Sequence, residues 1–200
     1  MDPPNYIIEK QNRVKRVGDW IGDQILPHFK KQGERSGIHL EIGSGHGHWL
    51  TSFALHYPHR IFVGIDLLSK RIKKSERKKE IHNLKNLFFI KAEASEFLEA
   101  LPEQLNVLST YIMFPDPWPK KRHFKNRLIQ EDFLNQLAHV SSKNSKIHFR
   151  TDHNGYYEWA LDTLGTNQFW QINQDPWPHE ATSFFQDFFE KTYTCSATRG

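Results

Sequence analysis

Ile38-His-Leu-Glu41-Ile-Gly43-Ser-Gly45-His-Gly47 is the stretch on which the reading of this chain turns. Residues 38–42 are a short apolar run of strand character. Three glycines in the next five positions permit a tight turn and let backbone N–H groups approach a ligand closely. Residues 48–56 then read as a helix, stopped before Pro58. A strand, a glycine turn and a helix in that order open a βαβ unit. The dinucleotide fingerprint is Gly-x-Gly-x-x-Gly, and its third glycine would fall on His48. The spacing here is Gly-x-Gly-x-Gly, with an acid two positions before the first glycine. That departure argues against a nicotinamide or flavin site.

Outward from this unit, apolar runs keep alternating with longer helical patterns. Strands are predicted over 60–65, 87–90, 108–114 and 146–150, and weaker ones over 169–173 and 188–194. Helices are predicted over 69–82, 95–101 and 129–140, and from Tyr156 to about Leu164. The first 35 or so residues read as an amphipathic helical segment, with Val14, Val17, Ile21 and Ile25 at three- and four-residue steps and Pro27 and Gly33 closing it. Such alternation predicts one α/β domain over residues 1–200, a mostly parallel sheet with helices on both faces. In folds of this kind ligands bind at the carboxyl ends of the strands.

Each strand end carries something chemical. Asp66 follows the second strand, where an acid can accept ribose hydroxyls or cap the next helix. Glu93 and Ala94 follow the third, an acid beside a residue small enough to admit a flat base; Glu93 can equally begin the next helix. After the fourth comes Phe114-Pro-Asp116-Pro-Trp118-Pro-Lys120-Lys-Arg122-His123. Its prolines at 115, 117 and 119 restrict their own φ and each preceding residue, predicting a stiff, extended loop that presents Asp116. Trp118 offers a stacking surface, and the cations beyond can hold phosphates. Asp152 ends the fifth strand and is either a ligand group or a helix cap.

Composition narrows the classes. Hydrophobic residues are 38% and aromatics 14% of 200 residues, which is unlike a disordered chain. Cys195 is the one cysteine, so neither an internal disulfide nor a multi-cysteine zinc site can form, and a reducing, cytoplasmic setting fits. No run reaches the roughly 20 apolar residues of a membrane helix, and the opening residues lack the pattern of a secretory signal. The net charge of +4 is modest but clustered. One run is Lys70, Arg71, Lys73, Lys74, Arg77, Lys78 and Lys79; the other is Lys120, Lys121, Arg122, His123, Lys125 and Arg127. Either alone reads as a solvated face, while two beside a nucleoside-type fold favour a polyanionic partner. His46, His48, His123 and His153 belong to no H-E-x-x-H or Cys/His pattern, so no metal is expected.

With these residues in view, the glycine stretch resembles the first motif of class I S-adenosylmethionine-dependent methyltransferases. Their donor carries a cationic sulfonium and ammonium but no phosphate. More narrowly, LEIGSG, GIDL, FPDPWPKKRHFKNR and TDHNGYYEW resemble the bacterial tRNA (guanine-N7-)-methyltransferases over about residues 38–182. The resemblance implies a Rossmann-like fold, S-adenosylmethionine as donor and a tRNA guanine as acceptor. It places Glu41, Gly43, Gly45, Asp66, Glu93, Ala94 and Asp116 at the cofactor, with Asp116 also catalytic. It places Lys120, Asp152 and Thr182 at the substrate and Arg122, His123, Lys125 and Arg127 along the RNA. The family's Thr-x-x-Glu motif is incomplete here, because Thr182 is followed by Ser183, Phe184 and Phe185. Two other readings share these residues: a methyltransferase acting on another RNA or small molecule, and an RNA-binding relative without catalysis. Monomer and homodimer stay equally open.

Overall fold

A computed structural model describes residues 4–29, 36–181 and 191–200. Seven strands form one sheet in the order β3-β2-β1-β4-β5-β7-β6. The strands β1 (Ser36–Ile42), β2 (Ile61–Asp66), β3 (Leu87–Lys91), β4 (Leu105–Met113) and β5 (Ser141–Thr151) run parallel. β7 (Tyr193–Arg199) is antiparallel to both its neighbours, β5 and β6 (Trp170–Asn173). The helices are α1 (Asn5–Gln24), α2 (His48–His56), α3 (Ser69–Ile81), α4 (Ala94–Glu99), α5 (Glu131–Val140) and α6 (Asn154–Thr166). This is the mostly parallel, doubly covered sheet that the alternation predicts.

Period-two patterning sorts the strands between two cores. Ile38, Leu40, Ile42, Val63, Ile65, Phe88 and Ile90 face one side, where α1, α4, α5 and α6 cover them. Phe62, Leu87, Phe89 and Tyr111 face the other, under Trp49, Leu50 and Phe53 of α2 and Ile72 of α3. Each such side chain taken out of water contributes about 1.5–3 kcal/mol. β1 pairs with β2 on one side and β4 on the other, so strand order reverses there and a crevice opens at their carboxyl ends.

The element bounds depart from expectation in informative places. β4 begins at Leu105, before an irregularity of register near Leu108, whose side chain is 38% exposed and breaks the apolar run. β5 begins at Ser141, which pairs with Val107 ahead of a break in register; pairing resumes at Lys146, and the polar residues between show no hydrophobic alternation. α6 begins at Asn154, with His153 as its cap: the His153 ring nitrogen Nδ1 accepts from the Tyr156 N–H at 3.1 Å. The closing strand is 193–199 rather than 188–194; residues 188–190 lie outside the described residues. The phenylalanines at 188 and 189 suggest a strand by type, whereas Cys195, Ser196 and Ala197 are small enough to fit, buried, between two strands.

The α2 side of β4 and β5 is covered by the segment 174–181 instead of a helix. Trp49 Nε1 donates to His179 O at 2.8 Å, and the His179 ring stacks on Phe53 at 4.9 Å. Beneath lies a polar aromatic cluster in which His39 Nδ1 meets the Tyr111 hydroxyl at 3.2 Å and His148 stacks on the Tyr111 ring at 5.4 Å. Burial pushes both His39 and His148 down to about 4. An unfolded histidine protonates near 6.5, so acid favours the unfolded chain as pH falls from 6.5 toward 4. His148→Gln removes one such group. Relative to wild type it should gain about 2 kcal/mol between pH 7 and pH 5 in denaturant titrations. An unchanged difference across that range would contradict the burial of a neutral imidazole.

Candidate active site

The glycine turn after β1 is held from two elements. Gly43 N and Ser44 N both donate to Ile65 O of β2 at 2.9 Å. Gly43, Gly45 and Gly47 have φ of +77°, +56° and +70°, a region that residues with a Cβ rarely adopt. At Gly47 a Cβ would also come within 2.7 Å of the Phe89 ring. From α3, Ser75 Oγ donates to Gly45 O at 3.1 Å and Lys78 Nζ to His46 O at 2.9 Å. Asp66, 4% exposed, joins the parts. Its Oδ2 accepts from Gly45 N at 3.0 Å and from Arg71 Nη1 at 3.4 Å; its Oδ1 accepts from Leu68 N at 2.8 Å. Asp66 therefore closes the glycine turn and also fixes the approach to α3 through Leu68 N.

Against this turn lies a cavity of about 510 Å³, within the range of small-molecule sites. Gly43, Asp66, Arg71, Glu93 and Asp116 give it polar walls, and Ala94, Met113 and Trp118 line it as well. A Cβ at Gly43 would meet nothing within 4 Å, so that backbone borders open space. Three carboxylates against one arginine, itself paired with Asp66, suit a cationic ligand better than a phosphate. Glu93 divides its two oxygens. Oε2 caps α4, accepting from Ser95 N at 2.9 Å, Ser95 Oγ at 2.6 Å and Glu96 N at 3.1 Å, whereas Oε1 takes part in none of these bonds.

The proline-rich loop is stiff but not extended. Phe114 and Trp118, each preceding a proline, have φ of +49° and +44°. Such backbones cost about 1–3 kcal/mol each and persist only where surroundings enforce them. Two contacts do so. Phe114 N donates to Arg150 O at 2.8 Å, and Arg127 Nε donates to Pro117 O at 3.0 Å. Arg127 is 3% exposed; its Nη1 donates to Gly155 O at 3.2 Å and its guanidinium lies 3.7 Å from the Phe124 ring centre. Its charge is turned toward the protein rather than outward along an RNA. Asp116 is exposed at the mouth, and Trp118 meets the His123 ring edge-on at 5.8 Å.

The remaining expected residues fall into three groups. Lys120, Arg122 and Lys125 are exposed along the loop and the 3-10 turn Lys121–Asn126, where Arg122 Nε donates to His123 Nε2 at 3.2 Å. Asp152 is exposed and outside the cavity wall, and the helix cap read as its alternative role belongs to His153. Thr182 lies outside the described residues. Glu41 is not in the cavity wall either. It is 3% exposed, beside Gly64 of β2, and its Oε2 has no hydrogen-bond partner among the described residues. Burial, then the Asp66 charge, push Glu41 up to about 8, so it holds a proton at neutral pH. Arg71, Ser75 and Lys78 also serve the site, and their i, i+4, i+7 spacing toward the glycine turn is the signal in the sequence that marks them. Asn126, which also lines the cavity, carries no such signal.

Comparison with known proteins bears on this geometry. The family model described as "Putative methyltransferase" matches residues 35–193. The tRNA (guanine-N(7)-)-methyltransferase of Oceanobacillus iheyensis is 35% identical over 163 residues, covering 82% of this chain and 72% of that protein. The enzyme of that name from Thermotoga maritima is 34% identical over 168 residues, 84% of this chain and 51% of its own, so this chain spans about half its length. Among solved structures, an antibiotic-related methyltransferase superposes with a TM-score of 0.55 at 19% identity, covering 92% of this chain and 93% of its own, a likeness of fold. By model, identity and coverage together, the chain belongs to the tRNA (guanine-N7-)-methyltransferase family.

Proposed function

We propose that this chain transfers a methyl group from S-adenosylmethionine to N7 of a guanine in tRNA, in the variable loop as the family resemblance implies. The observation that carries the reading is the position of Asp116, in the wall of the donor-sized cavity and immediately before the exposed cations at 120–125. We take residues 1–200 to act as one unit in a cytoplasmic setting.

The bound donor supplies an electrophilic methyl on a cationic sulfur. The guanine N7 lone pair forms the new N–C bond as the S–C bond breaks, and the positive charge passes to the purine, so no proton has to leave N7. Alignment and charge stabilisation are then the protein's main tasks. Backbone groups of the Gly43–Gly45 turn and the Asp66 carboxylate, whose oxygens have lone pairs beyond those used by backbone donors, bind the methionine and ribose parts. Ala94 admits the flat base, and Glu93 Oε1 accepts from its amino group. Asp116 faces the growing charge on the guanine and accepts from donors on its Watson–Crick edge, with Asp152 reaching the same edge from β5. Lys120, Arg122, His123 and Lys125 meet RNA phosphates. Arg127 is a positioning residue that keeps Pro117, and hence Asp116, in place.

Incubation with unmodified tRNA and methyl-labelled donor, followed by nucleoside digestion, should yield labelled 7-methylguanosine. Label in a different nucleoside would overturn the assignment to N7. Asp116→Ala should lower turnover about 100-fold or more while changing donor affinity by less than about threefold; equal losses in both would make Asp116 a binding group only. Glu41 generates a stability signature. Its proton is retained in the folded chain up to about pH 8 but lost near 4.5 when unfolded, so its contribution falls as pH rises between those values. Glu41→Gln should therefore gain about 3 kcal/mol on wild type from pH 5 to pH 8, and a flat difference would mean that Glu41 is ionised.

A further inference from the structure

α3 is an unusually charged helix on the surface of the protein. Its 13 residues include seven cations and two acids, and Ser75 is its one fully buried residue. Three of the cations serve the fold. Arg71 meets Asp66, Lys78 holds His46 O, and Lys79 sits 3.6 Å from Glu76 and 4.6 Å from the Phe88 ring centre. The other four, Lys70, Lys73, Lys74 and Arg77, are exposed. At about 100° per residue they fall within a single arc of roughly 100°. Among the described residues no acid lies within ion-pair distance of any of them, Glu80 on their flank included. They are spaced three and four residues apart, and like charges so placed destabilise a helix by about 0.2–0.5 kcal/mol per pair.

The position of this stripe matters as much as its charge. Leu67, Leu68 and Arg71, at the head of α3, line the same cavity as Asp116 and Trp118 on the proline loop. The stripe therefore begins at the rim opposite the cations at 120–125. Its field also reaches the glycine turn, where His46 is pushed down by burial and then by Lys74, Lys78 and Arg71. A helix that tolerates internal repulsion on its outer face, at the rim of a site, is relieved by a polyanion laid along it.

We propose that the outer face of α3, through Lys70, Lys73, Lys74 and Arg77, is a second phosphate-binding surface that grips the tRNA backbone across the cavity from the loop at 120–125. This rests on the reading of the site as a tRNA methyltransferase. The contacts are to phosphates and carry no base specificity, so they add affinity and orientation for any segment reaching that rim.

The test compares wild type with Lys70→Ala/Lys74→Ala/Arg77→Ala and with a control of equal charge loss, Lys15→Ala/Lys85→Ala/Lys143→Ala. Alanine preserves the helix, which circular dichroism verifies. Binding of unmodified tRNA is measured from 50 to 300 mM salt. The α3 variant should bind about tenfold or more weakly at 150 mM, and its log K against log[salt] should be shallower by about two to three. Donor affinity and turnover at saturating tRNA should match wild type. If wild type binds and methylates tRNA while the α3 variant keeps its affinity and slope, the inference falls and the proposed function stands. An equal loss in the control variant reduces the effect to net charge and also overturns it. A wild-type protein that neither binds nor methylates tRNA overturns both.

Discussion

The carboxylate of Asp66 is where three parts of this protein are tied together. It ends β2, accepts the N–H of Gly45 in the turn after β1, accepts the N–H of Leu68 just before α3, and holds Arg71 one turn further on. A buried carboxylate is tolerable only when its lone pairs are matched by donors, and each donor here comes from a segment that would otherwise leave its N–H unpaired. The cavity follows from this arrangement. With the glycine turn pinned to β2 on one side and β4 leading into the proline loop on the other, the crevice at the strand-order reversal cannot close. Gly43, in a left-handed conformation, leaves its part of the near wall without a side chain.

The far wall is built on a different principle. Phe114 and Trp118 occupy backbone conformations that neither their bulk nor the prolines after them favour. That strain is offset by Arg127, whose guanidinium ties Pro117 O to Gly155 O among the rings of Phe124, Tyr156 and Trp159. In the sequence Arg127 reads as one more cation of a basic run; buried, it is what lets Asp116 face the cavity from a defined position. The protein thus has one wall made permissive by glycine and one made rigid by proline and an inward arginine. A reaction that asks chiefly for alignment is well served by that pairing.

The parallel half of the sheet was legible because both of its faces are buried, so the buried core of each strand shows as an apolar run, the interrupted β4 and the polar start of β5 apart. The acids at strand ends were legible for a similar reason, since a carboxylate after an apolar strand has few other places to be. What escaped was whatever depends on partners distant in sequence. β7 is a run of small polar residues that becomes a strand only between β5 and β6. Glu41 shares its motif with the glycines, yet strand alternation turns its side chain away from the cavity and into the layer beneath α2 and α3. His153, not Asp152, caps α6, its Nδ1 accepting the Tyr156 N–H.

Two identical tetrapeptides show how far local sequence goes. Asp116-Pro-Trp-Pro follows β4, and Asp-Pro-Trp-Pro recurs at 175–178 after β6. The first presents its acid and its indole to the cavity. In the second, Asp175 pairs with Lys146 at 2.6 Å, and the Trp177 ring lies under the Arg150 guanidinium at 4.2 Å with Trp49 and His148 alongside. The second copy packs the sheet where no helix covers it. Prolines make both segments stiff, and stiffness serves packing as readily as chemistry. The difference lies in the preceding strand: β4 ends at the reversal of strand order, beside the glycine turn, whereas β6 ends at the sheet edge, against the cluster of Trp49, His148 and Trp177.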